Sequence, residues 1–126
     1  MQKNIECVPN FSEGRNPQII KQITDAIESV EGIKLLNVDP GKATNRTVVT
    51  FVGEPDAVIE AAYRGIECAS QVIDMSQHSG EHPRMGATDV CPLIPISGIS
   101  MEETAEYAKK LAERVGNNLQ IPVYLY

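Results

Sequence analysis

Apolar and polar positions along the chain alternate between two rhythms, one of short runs bounded by turn residues and one of stripes recurring every three or four residues. Ile5-Glu6-Cys7-Val8, closed by Pro9-Asn10, reads as a buried first strand, and Phe11 to Gly14 as a loop. Asn16-Pro17 supplies a helix cap followed by the position where proline is tolerated. Ile19, Ile23, Ala26, Ile27 and Val30 then fall on one helical face, with Gly32 as the expected stop. Residues 33–38 and the Thr-, Val- and Phe-rich run Arg46 to Val52 predict two strands paired as a long-looped hairpin.

After Gly53-Glu54-Pro55 a second helix is expected, striped by Val58, Ala61, Ala62, Ile66, Ala69 and Val72/Ile73, with Gly65 marking close packing on a sheet. Cys91 to Ile96 is apolar but carries Pro92 and Pro95, which cannot donate to a ladder, so an edge or irregular strand is predicted. Ser100-Met101-Glu102-Glu103 has the capping-box pattern. Met101, Ala105, Ala108, Leu111, Ala112 and Val115 extend it into a third helix that Gly116 should end. Residues 122–126 look like a last strand. The order begins βαββαβ and predicts an α/β (α+β) fold, a mixed sheet with helices packed on one face. An ending on an apolar strand is unusual for a domain boundary, which suggests half of a larger unit.

Length and composition narrow the classes. A chain of 126 residues is one domain or part of one, and removes roughly 65 to 70% of its unfolded surface from water. With 42% apolar and 22% charged residues it has the make-up of an ordinary globular protein. Seventeen acidic against eleven basic residues, a net charge of -6, argue against sequence-independent nucleic-acid binding. The sequence has no membrane-spanning run and its N-terminus has no signal-peptide character, so a cytoplasmic protein without membrane partners is expected. Cys7, Cys68 and Cys91 are odd in number, far apart and flanked by apolar residues, which suits buried, reduced thiols.

The stretch from Asp74 to Pro92 breaks both rhythms. Its nineteen residues hold both histidines, His78 and His82, with two glycines, two prolines, Arg84 and three acidic side chains, a make-up for binding or chemistry rather than core. The four-residue spacing of the histidines invites a zinc reading, but that geometry needs a helix, which Gly80 and Pro83 oppose; no metal is expected. A loop histidine with a pKa near 6.5 is suited to accept and return a proton at neutral pH. Asp39, ahead of Pro40-Gly41, reads either as an orienting carboxylate for such a base or as a turn-forming aspartate. Arg46 and Arg84 read either as solvated arginines or as forks for a substrate carboxylate. Gly41-Lys42 lacks the upstream glycine and the following helix of a phosphate loop.

Five segments together resemble a known family. They are Glu6 to Gly14, Thr44 to Val48 with Phe51 to Gly53, Gly80-Glu81-His82-Pro83-Arg84-Met85-Gly86-Ala87, Asp89 to Pro92, and Val123 to Tyr126. The chain is similar over its whole length to the N-terminal subdomain of glutamate formiminotransferase, the transferase half of formiminotransferase-cyclodeaminase. That resemblance implies a ferredoxin-like subdomain over residues 1–126 and a folate groove shared with a second subdomain. It further implies transfer of a formimino group from N-formimino-L-glutamate to N5 of tetrahydrofolate, the co-substrate, in histidine degradation. His82 matches the family's acid/base and Asp39 the aspartate near it, with Asn10, Arg46 and Arg84 as candidate contacts to carboxylates or pterin. The family's transferase unit is roughly twice as long. Three expectations follow: a fragment, a standalone single-subdomain homologue acting as a folate-binding or assembly module, or a half that assembles with itself or with a separate partner half.

Overall fold

The computed structural model describes residues 3–41, 45–73 and 88–119. Among them β1 (Asn4–Cys7) and β2 (Asn10–Phe11) form one line, broken at Val8-Pro9, along one side of β4 (Arg46–Gly53). Ile5 lies opposite Gly53, Cys7 opposite Phe51 and Asn10 opposite Val48. On the far side of this line, β6 (Leu93–Ser97) pairs with β1, and β5 (Thr88–Val90) pairs with β2. The other side of β4 pairs with β3 (Lys34–Gly41), as the expected hairpin. Counting lines in chain order, the sheet runs fourth, first, third, second, the ferredoxin-like arrangement of a βαββαβ chain. Each of these ladders is antiparallel; the strand expected at 122–126 lies outside the described residues.

Strand alternation gives the sheet two unlike faces. Along β4, Thr47, Val49, Phe51 and Gly53 are buried, while Arg46, Val48, Thr50 and Val52 are only partly covered. The buried face packs Ile5, Cys7, Phe11, Val49 and Phe51 against α1 (Pro17–Glu28), α2 (Pro55–Val72) and α3 (Met101–Leu119). Burial of each large side chain there stabilises the fold by about 1.5 to 3 kcal/mol. The helices thus lie on one face, as the periodicity predicted, and among the described residues no helix covers the opposite, open face.

Local signals act where they were expected. Asn16 caps α1 by accepting from Gln18 N–H at 3.0 Å, with Pro17 at the first helical position. Ser100 Oγ accepts from Glu103 N–H at 3.1 Å, half of a capping box. The Glu103 carboxylate pairs with Lys3 Nζ at 2.7 Å instead of reaching back to Ser100. Three expectations are corrected. α3 passes through Gly116 to Leu119, because Val115 is held in the core and the glycine costs only about 1 kcal/mol within a packed helix. α1 ends at Glu28, and Gly32, at φ +90°, turns the chain four residues later. The Phe11 to Gly14 loop begins in a strand, since Phe11 pairs with Thr47.

Gly65 marks a close approach, but to α1 first. A Cβ there would sit 2.9 Å from Ile27 Cγ1 and 3.4 Å from Phe11 Cζ. Outside this contact, Arg114 of α3 bonds Glu60 of α2 at 2.6 Å and lies over the Tyr63 ring at 3.8 Å. Arg64 bonds both Glu60, at 2.8 Å, and Ser29 Oγ at the end of α1, at 3.0 Å. The three helices are therefore clamped at their surface as well as through the core.

Candidate functional site

Register decides which candidate residues can meet. Asp39 of β3 and Asn10 of β2 both lie opposite Val48 of β4, one on each side. Side chains in one cross-strand row point to one face, so Asp39 and Asn10 flank Val48 on the open face of the sheet. At about 4.8 Å per strand their Cα atoms stand about 10 Å apart. Arg46, two residues before Val48 on β4 and opposite Gly41, belongs to the same face about 7 Å along the strand. Three of the five candidate residues, scattered over 37 positions of sequence, thus frame one patch whose floor is Val48.

The patch is polar at its rim and partly solvated. Asp39 is exposed, whereas Asn10 and Arg46 are half-buried. Asn10 Nδ2 donates to Val8 O at 3.2 Å, which turns the amide along its own strand. On the other side of β2 the row continues to Val90 of β5. His82 and Arg84 fall within residues 74–87, and with His78 lie outside the described residues. The described chain resumes at Thr88, which pairs with Phe11 of β2.

A buried polar lock holds the patch from the helix side. Gly14 N–H donates to Asn45 Oδ1 at 2.9 Å, and Asn45, only 5% exposed, takes the left-handed conformation at φ 52°. Thr47 Oγ1 donates to Glu13 O. The Glu13 carboxylate accepts from Arg15 N–H at 2.8 Å and Asn16 N–H at 2.9 Å, covering the approach to α1. A Cβ on Gly14 would run into Gly41 O and Arg46 N, so only glycine fits where this loop crosses the β3–β4 end. The lock therefore pins the β3–β4 end beside Arg46 with residues given no role in the sequence, while Asn10 and Asp39 are set by their ladders to Val48. A glycine after Ser-Glu and an asparagine ahead of a β-rich run are turn signals that pointed there.

Among the described residues there is no group of three or more His, Cys, Asp or Glu side chains placed to hold a metal ion. No helix among them is long and apolar enough to cross a membrane. All three cysteines are free, as expected, but only Cys7 is buried; Cys68 and Cys91 are partly exposed.

An antiparallel α/β architecture whose described helices all lie on one sheet face, with a polar patch built from three strands on the other, defines a subdomain that presents that patch away from its helices. The formiminotransferase domain, N-terminal subdomain, matches residues 4–126, and the chain belongs to that family. A formimidoyltransferase-cyclodeaminase of Mus musculus is 56% identical over 126 residues, all of this chain and 23% of that protein. A glutamate formimidoyltransferase of Streptococcus pyogenes serotype M1 is 46% identical over 126 residues, 42% of its length. Another, of Thermoplasma acidophilum, is 48% identical over 122 residues, 97% of this chain and 40% of that protein. The chain spans well under half the length of these curated relatives.

Proposed function

We propose that this chain supplies the proton-transfer half of a glutamate formiminotransferase, which moves the formimino group of N-formimino-L-glutamate to N5 of tetrahydrofolate in the cytoplasmic breakdown of histidine. The observation that supports the reading is the patch that brings Asp39, the residue that the family resemblance placed near His82, onto one face with Asn10 and Arg46, the candidate contacts to carboxylates or pterin. N5 attacks the amidine carbon and forms the new C–N bond of a tetrahedral adduct. His82 takes the proton that N5 releases and gives it to the glutamate nitrogen, whereupon the old C–N bond breaks. One imidazole performs both steps, and such acid/base work contributes roughly 10²- to 10⁴-fold in rate. Asp39 favours the intermediate imidazolium by its charge, while Arg46 and Arg84 offer forks to substrate carboxylates and Asn10 an amide to the pterin. Residues 1–126 serve as the N-terminal wall of the folate groove in this reading.

The test is formation of 5-formiminotetrahydrofolate by the purified protein, with His82→Ala and Asp39→Asn beside it. His82→Ala is expected to abolish turnover with the circular dichroism unchanged, and Asp39→Asn to lower kcat while stability moves by less than about 0.5 kcal/mol, since Asp39 is exposed. An unchanged rate in His82→Ala removes the assignment of that residue. Folate binding without turnover, in the unsubstituted protein, would favour a binding or assembly module.

A further inference from the structure

Two thiols unused by the proposed reaction touch each other: Cys7 Sγ lies 3.4 Å from Cys91 Sγ. Cys7 ends β1, and Cys91 sits in the two-residue break between β5 and β6. Because Cys7 pairs with Leu93, and Asn10 with Val90, Cys91 falls diagonally across from Cys7 on the same face of the sheet. Both flanks of this contact are prolines, Pro9 and Pro92. They accept bonds, from Val49 N–H at 3.0 Å and Val8 N–H at 3.1 Å, but have no N–H of their own to anchor the ladder. Fewer ladder bonds therefore oppose a small shift of the strands here, and the sulfurs need to close by only about 1.4 Å to reach bonding distance.

We propose that Cys7 and Cys91 form a redox-active dithiol, a modification site that closes to an intramolecular disulfide when the protein meets a hydroperoxide. The two thiols differ in the way such a site needs. Cys91 is partly exposed and meets the oxidant, whereas Cys7 is wholly buried and meets only Cys91. Burial pushes the Cys7 thiol well above its ordinary pKa, with the neighbouring Cys91 adding to the effect, so Cys7 does not react first. The Cys91 thiolate attacks one peroxide oxygen, the O–O bond breaks, and the released hydroxide is protonated to water, leaving a sulfenic acid. Cys7 sulfur then attacks Cys91 sulfur; the S–O bond breaks, the Cys7 proton leaves with the hydroxide as a second water, and the S–S bond forms. Two thiols lose two electrons and the peroxide gains them. In a reducing compartment such a bond is transient, a sensor rather than a staple. The bond ties the first strand to the chain that follows residues 74–87, and so acts at the edge of the candidate site without using any residue of it.

The full-length protein, treated with stoichiometric hydrogen peroxide, alkylated with N-ethylmaleimide and mapped by peptide mass spectrometry, tests this. The expected result is a linked Cys7–Cys91 peptide lighter by two hydrogens, an alkylated Cys68, recovery of both thiols with dithiothreitol, and a higher Tm for the oxidised form. Cys68→Ser should retain the linkage, and Cys91→Ser should leave Cys7 alkylatable once the chain is denatured. If either variant fails to fold, the unsubstituted protein's peptide map decides alone. Recovery of Cys91 as sulfinic or sulfonic acid with Cys7 free, a linkage through Cys68, or two unmodified thiols in excess peroxide would each overturn the proposal.

Discussion

Gly65→Ala sets two effects of opposite sign against each other. A helical glycine is about 1 kcal/mol worse than alanine, so at an open position the substitution would stabilise α2. Here the new Cβ would stand 2.9 Å from Ile27 Cγ1 and 3.1 Å from Ile27 Cδ1. Ile27 is fully buried, so its side chain has no solvent to move into. Overpacking of this kind costs about 1 to 3 kcal/mol, which outweighs the helix gain. The net expectation is a loss of up to about 2 kcal/mol, read as a lower urea midpoint at constant m. Ile27→Ala removes both clashing atoms at its own cost of about 2 to 5 kcal/mol. In that background Gly65→Ala should become neutral or stabilising, and the reversal of sign is what a double-mutant cycle would show. A gain of stability from Gly65→Ala in the unsubstituted protein would refute the close approach of α1 and α2.

Two further predictions concern the clamp and the lock. Arg114→Ala removes both the Glu60 ion pair and the stack on Tyr63, and should cost about 1 kcal/mol at neutral pH, since the pair is partly solvated. Hydrogen bonds from Arg114 and then Arg64 hold the Glu60 carboxyl below its usual range. A depressed carboxyl contributes its full stability above the unfolded value near 4.3 and loses it as the pH falls through the folded value. The gap between wild type and Arg114→Ala should therefore narrow in urea titrations below about pH 4, and a gap independent of pH would count against the pairing. Asn45→Gly keeps the left-handed backbone but loses the acceptor for Gly14 N–H, whereas Asn45→Ala loses both. Alanine should be the more destabilising by about 1 kcal/mol, and equal melting temperatures would show that the conformation is not required there.

Short-range chemistry was legible in the chain. The Asn16-Pro17 cap, the Ser100 cap, the three amphipathic helices and the hairpin of β3 with β4 each depend on residues within one element or on neighbouring elements, and each formed as expected. The place of β6, which carries Pro95, at an edge of the sheet among the described residues, and the break at Pro92, followed from a missing N–H, a property of the residue itself. Helix ends were less well read: core packing of Val115 carries α3 through Gly116 against a weak local preference, and α1 stops at Glu28, short of Gly32.

Register was the part that only tertiary structure could decide. That Asp39, Asn10 and Arg46 share one face, that Gly14 must have no side chain where it crosses the β3–β4 end, and that Cys7 touches Cys91 all depend on which residue of one strand stands opposite which of another. A slip of one residue would send Asp39 or Asn10 to the helix side, since side chains alternate with a period of two. Composition and periodicity determine that β3 and β4 are strands but not that Asn10 and Phe11 form β2; the burial of Phe11, Thr47, Val49 and Phe51 beneath the helices selects the one register that leaves the polar candidates together on the face away from them.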